Sequence, residues 1–357
     1  MPNGWIGQLT IFKSMHKGIV QKNYYVRKKA LLLILANFVI LTALISLSIG
    51  PYDLSVKEVF QGLFQTKSLS FPDMEREQLA RLIIWEIRMP RIILTALVGT
   101  ALSISGNIFQ SCFRNPLVEP YILGVSSGAA FGASMAIVFP AIFFSIPVSA
   151  FLFAGLTVLL TLSLGVFRGQ IKTLSLILAG VVIGSFFTSL VSILKYISND
   201  SALREIVFWL LGGFYHSGWN EIYLLAPIII PVSGFVWFLA WKLNIISIGD
   251  EEAKSLGVDP KKNKVILILC ATILTSLSVA YVGIIAWVGL MVPHAARIII
   301  GPDNRYVIPF SALIGTLFLL FCDTLARNMI TGEIPIGILT SIIGAPYIIY
   351  LLRTKII

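Results

Sequence analysis

The chain has 357 residues, of which 57% are hydrophobic and 12% are charged. About a quarter of the residues of a soluble domain are charged, so this chain cannot cover itself with polar surface and is expected to lie in a lipid bilayer. The net charge of +10 comes from Lys and Arg placed between apolar runs, and this arrangement does not indicate a nucleic-acid partner.

The chain opens with a basic lead over residues 1–29, which holds Lys and Arg but no acidic residue. The first apolar run covers residues 30–49 and is long enough to cross the hydrocarbon core as a helix. Ser46-Leu47-Ser48 weakly resembles a signal-peptide cleavage site, but the run is too long for a typical signal-peptide core. An uncleaved first span is therefore expected.

Ten apolar runs of this kind follow one another along the chain, separated by short polar or Pro/Gly-rich breaks. Val282-Gly283 alone divides the seventh from the eighth, and Gly289 and Pro293 interrupt the eighth, so a broken or tilted helix is expected there. The predicted spans lie near residues 30–49, 92–110, 121–139, 146–166, 173–197, 221–241, 265–282, 284–300, 307–328 and 335–352.

Basic residues predict the orientation of these spans, because Lys and Arg accumulate in cytoplasmic loops. The lead is basic and is placed in the cytoplasm, and ten spans return the C-terminal end, with Arg353 and Lys355, to the same side. The loop from Pro51 to Pro90 has mixed charge and is placed outside. We therefore expect a multi-pass protein of a prokaryotic cell (inner) membrane with both termini cytoplasmic.

The chain contains no G-x-x-x-x-G-K-[ST] motif, so it is not expected to hydrolyse ATP itself. The predicted span interiors hold few ionisable groups, with Lys195 and Asp323 as the main exceptions, whereas ion-coupled carriers commonly keep such groups at mid-depth. The three cysteines have no paired metal-ligand spacing. Neither a metal nor a cofactor is expected, and an ion-coupled carrier or channel acting alone remains the alternative.

The first polar motif, Trp85 to Arg91, precedes the second span. Pro90 suits the opening turn of a helix, and Arg88 and Arg91 are three residues apart and can face one way. Arg327, one turn after Asp323, could join them. These arginines could present cations to an acidic protein partner, or they could be interfacial side chains with Asp323 and Arg327 as an ordinary pair within one helix.

The second motif lies in a cytoplasmic loop over about residues 245–262. Ser247 and Asp250 resemble a capping box, Gly257 suits a left-handed helix cap, and Pro260 stops continuation. A short helix is therefore predicted, with Ala253 and Leu256 on one side, where it could dock into a groove of a partner. A simple connector is the alternative.

The third motif comprises two proline-containing turns, residues 115–120 and 288–294, which indicate helices packed around a cavity. Small residues also recur every four positions along two spans. This spacing lets helix backbones approach closely in lipid. The glycines concerned are Gly124, Gly128, Gly132, Gly180 and Gly184.

These motifs together closely resemble the permease subunits of the FecCD family of ABC importers, which carry iron-siderophores, haem, cobalamin and related metal chelates. The resemblance runs from about Ala30 to Lys355. It is carried by Ile87-Arg88-Met89-Pro90-Arg91, Asn115-Pro116-Leu117-Val118-Glu119-Pro120 with Leu123-Gly124-Val125, Gly249-Asp250-Glu251-Glu252-Ala253 with Leu256-Gly257, Gly289-Leu290-Met291-Val292-Pro293-His294, Asp323-Thr324-Leu325-Ala326-Arg327 and Glu333-Ile334-Pro335-Ile336-Gly337.

The resemblance implies an all-α membrane protein with the type II ABC importer permease fold, in which residues 30–357 form one transmembrane domain after the 1–29 tail. It implies a homodimer around one pathway, two cytoplasmic ATPase subunits and an external solute-binding protein. An iron-siderophore is the foremost solute implied, with haem, cobalamin and an oxyanion such as molybdate also open.

The resemblance also implies roles for particular residues. Arg88, Arg91 and Arg327 match positions that receive acidic residues of the binding protein. Thr173 and Leu174 match an inner gate, although Leu174 is apolar where some relatives have a polar residue. The segment that contacts the ATPase is matched by Gly249, Asp250, Glu251, Glu252, Ala253, Leu256 and Gly257.

Overall fold

The structure is a computed structural model that describes residues 4–52, 54–64, 74–167, 170–171, 173–330 and 332–354. Helices account for nearly all regular structure in these ranges, and the one exception in them is a pair of two-residue strands. In chain order the elements are α1 Gly4–Ser48, α2 Val56–Phe64, α3 Met74–Leu82, a π-helical segment Ile83–Arg88, α4 Met89–Phe113, a 3-10 turn Pro120–Leu123, α5 Val125–Val138, α6 Ile146–Gly165, β1 Val166–Phe167, β2 Gln170–Ile171, α7 Thr173–Ile197, α8 Asp200–Leu211, α9 Trp219–Phe238, α10 Ala240–Ile248, α11 Asp250–Ser255, α12 Pro260–Val282, α13 Val288–Ile300, α14 Asn304–Ala326 and α15 Ile336–Thr354.

Eight helices of the described chain are long and apolar enough to cross a membrane, and two shorter apolar helices, α5 and α13, bring the total to the ten expected spans. The all-α polytopic architecture predicted from hydropathy is thus confirmed. The span that contains α4 is the central one, since 83% of its most apolar window is buried, against 11% for α1.

The basic lead and the first span form one continuous helix, α1, from Gly4 to Ser48. A helix of 45 residues is about 68 Å long at 1.5 Å per residue, so it is longer than the hydrocarbon core is thick. The expected boundary between the 1–29 tail and the transmembrane domain is therefore not marked by a break in the helix.

The second span begins earlier than predicted, because the backbone is already helical from Met74 and passes through the π-helical segment Ile83–Arg88 into α4. Pro90 follows the point where hydrogen bonding changes, since the N–H of Met89 donates to the carbonyl of Ile84, five residues back. Pro90 lies in the opening turn of α4, as predicted, although α4 continues directly from the π-helical segment. A proline lacks a backbone donor, which suits this change of hydrogen-bond register.

The seventh and eighth spans are separate helices with a break between them, whereas Gly289 and Pro293 lie inside α13 and do not interrupt it. α12 ends at Val282, residues 283–287 are not helical, and α13 is only 13 residues long. Trp287 has a left-handed backbone with φ of 75°, and its side chain packs on Gly344 of α15. The irregular segment therefore lies against neighbouring helices rather than lipid, as non-helical backbone at this depth must.

The repeated glycines mark close helix contacts, as expected. A Cβ atom at Gly132 of α5 would lie 2.3 Å from the carbonyl oxygen of Ser149 in α6, and one at Gly180 of α7 would lie 2.1 Å from the carbonyl oxygen of Ile122. No side chain fits in such a gap. α5 therefore packs on α6, and the 3-10 turn before α5 packs on α7, through backbone surfaces.

Candidate functional site

Two polar clusters lie at opposite ends of the antiparallel pair formed by α4 and α14. Arg91 contacts Asp323 at one end, which we name the arginine end. Asn107 contacts Asn304 at the other. α10 and α11 lie near this second end, because Asn244 of α10 accepts a hydrogen bond of 2.7 Å from the backbone N–H of Asn304. We name it the loop end.

Arg91 is enclosed by two carboxylates at the arginine end. Its Nε atom donates to Asp323 Oδ1 at 2.9 Å, and its Nη1 atom donates to Glu333 Oε1 at 2.8 Å. Asp323 is completely buried and Arg91 is 7% exposed. A buried ion pair of this kind is costly to break, because one charge would be left without compensation.

Arg327 shares the same carboxylate. Its Nε atom lies 3.2 Å from Asp323 Oδ2, one helical turn back, and its Nη2 atom donates to Ser46 Oγ of α1 at 2.7 Å. The pair expected within the ninth span is therefore present. Arg88 lies apart from this pair and donates to backbone carbonyls at the end of α1, including that of Ser48 at 3.0 Å.

All three arginines are thus buried and held by groups of this chain, with Arg91 and Arg327 gathered around Asp323. In this conformation the three cations are not presented freely to solvent. Their role in docking an acidic partner stays a prediction.

At the loop end, α11 is a short acidic helix anchored to α12. Lys264 Nζ donates to Asp250 Oδ1 at 2.6 Å, and Lys254 pairs with Glu251 at 2.9 Å. The hydrogen bond from Lys254 to Glu251 raises the pKa of Lys254. The predicted short helix is present, and its first turn carries three acidic residues, which suits the positive end of the helix dipole.

The predicted boundaries of this helix are partly wrong. Ser247 lies inside α10 and its hydroxyl donates to the carbonyl of Asn244 at 2.7 Å, so it forms no capping box with Asp250. Gly257 has the expected left-handed backbone, with φ of 77°. Pro260 opens α12 instead of only ending α11, because Asp259 caps that helix by accepting from the N–H of Lys262.

The surface that α11 presents also differs from the prediction. Ala253 is completely buried, whereas Leu256 is 59% exposed, so the two do not share an exposed side. Ala253 faces the helix bundle, where it contacts apolar side chains, and it belongs to the main hydrophobic core. The exposed face consists of Glu251, Glu252, Lys254, Ser255 and Leu256.

The two expected gate residues open α7. Thr173 is half-buried and Leu174 is 68% exposed in the single chain. A gate between two subunits cannot form within one chain, so this role stays a prediction.

The exposed face of α7 carries hydroxyl groups that sequence reasoning did not single out. Thr188, Ser189 and Ser192 are exposed, and each donates to the carbonyl four residues before it, at 2.9, 3.0 and 3.1 Å. Such bonds satisfy the hydroxyl hydrogens even in an apolar surrounding, while the oxygens remain able to accept. This face can therefore meet either lipid or water.

A further arginine, Arg297, which sequence reasoning also missed, is half-buried at the loop end. Arg297 of α13 donates from Nη2 to Asn107 Oδ1 at 2.6 Å and to Ser111 Oγ at 3.2 Å, and from Nη1 to Gln110 Oε1. Within the described ranges no carboxylate pairs with it. An ionisable residue inside the predicted span 284–300 was the signal that could have found it.

The irregular segments before α5 and α13 meet inside the bundle. Tyr121 donates its hydroxyl hydrogen to the carbonyl of Ile285 at 2.8 Å. Pro120 packs on Gly289. The two proline-containing turns predicted from the sequence therefore contact each other, although they are far apart along the chain.

The helical bundle, with an ionic cluster at one end and an acidic surface helix at the other, is that of a polytopic membrane protein. The chain belongs to the FecCD transport family, whose family model matches residues 38–354.

Relatives and a solved structure agree with this assignment. The chain is 38% identical to the molybdate import system permease protein MolB of Haemophilus influenzae, over 87% of this chain and 92% of that protein. It is 40% identical to the hemin transport system permease protein HmuU of Yersinia pestis, over 75% and 83%. A solved metal-chelate type ABC transporter in an inward-facing conformation matches with a TM-score of 0.81 and 36% identity, covering 91% of this chain and 99% of that chain.

The family resemblance read from the motifs is therefore confirmed, and so is the type II ABC importer permease fold. The chain is a membrane permease subunit of an ABC transporter, a component that does not itself carry out catalysis.

Proposed function

We propose that this chain forms the translocation pathway of an ATP-driven importer for a metal chelate. Two copies surround one pathway, two ATPase subunits bind at the loop end, and an external binding protein delivers the solute to the arginine end. The observation that carries the proposal is α11, a short acidic helix fixed to α12 by the Asp250–Lys264 pair while Glu252 and Leu256 remain exposed.

The solute is a chelate of the iron-siderophore kind, with haem or cobalamin as other members of the class. Relatives named for molybdate and for hemin show how widely solutes vary among similar permeases. A pathway lined by hydroxyl and apolar groups, such as the exposed face of α7, would discriminate weakly. We therefore assign most of the selectivity to the binding protein.

The exposed face of α7 supports the proposed homodimer. Only 28% of the most apolar window of α7 is buried within one chain, and the exposed side holds Ser185, Thr188, Ser189 and Ser192. A second copy facing this side would enclose hydroxyl-lined space between the subunits. Leu174, at the loop end of the same helix, would then narrow that space and act as the inner gate with Thr173.

The proposed mechanism is alternating access. ATP-driven closure of the two ATPase subunits displaces α11, which tilts the spans and opens the pathway to opposite sides in turn. The loop end and both termini lie in the cytoplasm of a prokaryote in this arrangement, and the arginine end faces outward.

Reconstitution tests the function. The permease is placed in liposomes alone, with its ATPase, and with ATPase and solute-loaded binding protein, and solute accumulation is measured with ATP supplied on the ATPase side. We expect accumulation only in the complete system. Uphill accumulation by the permease alone would instead support the second candidate, an ion-coupled carrier. An uncoupled leak by the permease alone would support a channel.

Docking at the arginine end needs a test that separates it from folding, because the arginines are buried. We expect Arg88→Glu with Arg91→Glu to abolish binding of the external protein, and matching Glu→Lys changes on that protein to restore part of it. Restoration by charge exchange requires direct contact. Intact docking and uptake in the double variant would show that the docking site is wrong.

Coupling at α11 is tested by Leu256→Ala and Glu252→Ala in the assembled complex. We expect ATP hydrolysis to continue while uptake falls, because the exposed face of α11 would no longer engage the ATPase. Leu352→Ala is the matched control, since Leu352 of α15 is 58% exposed but lies outside α11. Unchanged coupling in both α11 variants would remove α11 from the mechanism.

The gate is tested by Leu174→Ala, which widens the proposed constriction. We expect more passive leak of solute from liposomes in the resting state. Leu178→Ala, one turn further along α7 and 57% exposed, is the control. Equal leak in the wild type and in both variants would place the gate elsewhere.

A further inference from the structure

The cluster around Arg297 reaches α10, the helix that directly precedes α11. Asn107 Nδ2 donates to Asn304 Oδ1 at 2.8 Å, and the backbone N–H of Asn304 donates to Asn244 Oδ1 at 2.7 Å. α10 ends four residues after Asn244. Side chains from α13, α4, α14 and α10 are thus linked in one continuous set of hydrogen bonds.

Arg297 is tied to α4 at two turns of that helix. Its Nη1 and Nη2 atoms reach Gln110 and Asn107, which are three residues apart, and Gln110 Nε2 in turn donates to the carbonyl of Leu290 at 2.9 Å. A planar guanidinium can serve both acceptors at once, whereas an ammonium group presents a single point of charge. These directional bonds fix α13 against α4, and no carboxylate of the described residues takes part.

α4 and α14 are held together along their whole length. A Cβ atom at Gly99 would lie 2.6 Å from the carbonyl oxygen of Gly315, and the hydroxyls of Thr100 and Thr316 are 3.2 Å apart. The Arg91–Asp323 pair closes the arginine end. A pair joined at both ends and in the middle is expected to move as one body.

We propose that Arg297 is a positioning residue for energy coupling. Acting through Asn107 and Asn304, it holds the α4–α14 pair to α10, so that a displacement of α11 moves the pair and changes the geometry of the arginine end. This inference rests on the proposed function, because it requires an ATPase at α11 and a binding protein at the arginine end. Arg297 itself contacts neither partner.

The test uses the complete complex in lipid nanodiscs and compares Arg297→Met with Arg297→Lys. Basal ATP hydrolysis, its stimulation by solute-loaded binding protein, and the melting temperature are measured together. We expect Arg297→Met to lose stimulation by on the order of tenfold, a typical size for coupling between sites, while basal hydrolysis is retained. Arg297→Lys should restore only part of the stimulation, since it cannot reach both acceptors.

Ser278→Ala is the matched control, because Ser278 is buried but bonds only to the carbonyl of Leu274 in its own helix. It should leave stimulation unchanged. Asn304→Ala is the second variant and removes the acceptor of Asn107 while Arg297 keeps its bonds to α4. It should lose stimulation as well, because the bond from Asn107 to the Asn304 side chain is lost and Arg297 is no longer connected to α14, although the backbone N–H of residue 304 can still donate to Asn244.

Stimulation that stays near the wild-type value in assembled Arg297→Met and Asn304→Ala complexes would overturn the proposal. A parallel loss of basal hydrolysis, stimulation and melting temperature, or failure of both variants to assemble, would show that Arg297 has only a structural role and would equally overturn it. A wild-type complex without stimulation or uptake would instead reject the proposed function itself, so the two failures are distinguishable.

Discussion

The two ends of the α4–α14 pair each hold a guanidinium group, buried at the arginine end and half-buried at the loop end, but they stabilise it in different ways. At the arginine end, Arg91 is paired with the carboxylates of Asp323 and Glu333. At the loop end, Arg297 is held by the amides of Asn107 and Gln110. A carboxylate can release one cationic side chain and pair with another, whereas hydrogen bonds from a guanidinium to amide oxygens require a particular orientation of both groups. The first arrangement suits a surface that meets a charged partner, and the second suits a joint between helices.

The largest expected effect comes from removing the charge that the arginine end depends on. Asp323→Ala leaves Arg91 and Arg327 with one remaining carboxylate, and breaking a buried ion pair in this way costs about 3–5 kcal/mol. We expect a large fall in the melting temperature of the detergent-solubilised permease, measured by fluorescence-detected gel filtration.

Glu333→Gln is the comparison for Asp323→Ala, because the Glu333 side chain is 33% exposed and water can replace part of the lost interaction. Its effect should be clearly smaller. Equal effects of the two substitutions would mean that burial does not distinguish the two carboxylates, and the ion pairs would not stabilise the arginine end in the way described.

The next effect concerns the loop end, where backbone proximity matters more than charge. A Cβ atom at Gly106 would lie 1.8 Å from the carbonyl oxygen of Gly289, so Gly106→Ala must push α13 away from α4. Overpacking of this kind costs about 1–3 kcal/mol or more. Lower thermal stability should be accompanied by weaker coupling of ATP hydrolysis to uptake.

Gly155→Ala of α6 is the matched control for Gly106→Ala, since a Cβ atom there would meet nothing within 4 Å. It should be neutral or slightly stabilising, because alanine favours the helix more than glycine does. A Gly106→Ala variant as stable and as well coupled as Gly155→Ala would show that α4 and α13 do not depend on close contact.

The difference between the two ends was only partly predictable from the sequence. The ten spans were predictable because apolar runs of this length have one stable structure in lipid. Which face of each span is buried was not, because lipid and protein interior are equally apolar and no amphipathic stripe separates them. At the membrane surface Ala253, expected on an exposed face, is likewise buried, because a small apolar residue fits either environment.

The partners of Arg91 and Arg297 could also not be predicted from sequence patterns. Asp323 and Arg327 were associated because they are one helical turn apart, but Glu333 lies 242 residues from Arg91 along the chain. Arg297 was overlooked because its partners on α4 are neutral amides, which show no charge pattern. Local sequence rules describe contacts within a helix, whereas these clusters join helices that are distant in the chain.

A smaller effect is expected at Gly257, which ends α11 in a left-handed conformation with φ of 77° and where a Cβ atom would meet nothing within 4 Å. Gly257→Ala therefore tests backbone conformation alone, at a cost of about 1–2 kcal/mol. ATPase affinity should fall because the exposed face of α11 would be displaced. Gly257→Asn should be milder, since asparagine tolerates this conformation.

Unchanged ATPase affinity in the Gly257→Ala complex would mean that the loop end tolerates movement of α11. This result would contradict the contrast between an arginine end whose ion pairs can change partner and a loop end whose hydrogen bonds require a fixed orientation.

The smallest effect concerns Asp303, which caps α14 and contacts both Arg305 and Asn244. Partial burial alone would raise the pKa of this carboxyl, but the bonds from Arg305 and Asn244 lower it from 3.8 to about 2. A lowered pKa means that folding favours the ionised form. The resulting stabilisation is complete above about pH 4 and is lost as the pH falls towards 2.

We therefore expect Asp303→Asn to lower the melting temperature slightly at pH 6 and by less at pH 3, where the wild type has begun to lose the same contribution. Asp259→Asn is the control, because Asp259 also caps a helix through the N–H of Lys262. If wild type and Asp303→Asn differ in melting temperature by the same amount at both pH values, ionisation of Asp303 does not stabilise the contact between α10 and α14. The contact between Asp303 and Asn244 would then depend only on the orientation of the two groups, as the bonds of Arg297 to Asn107 and Gln110 do.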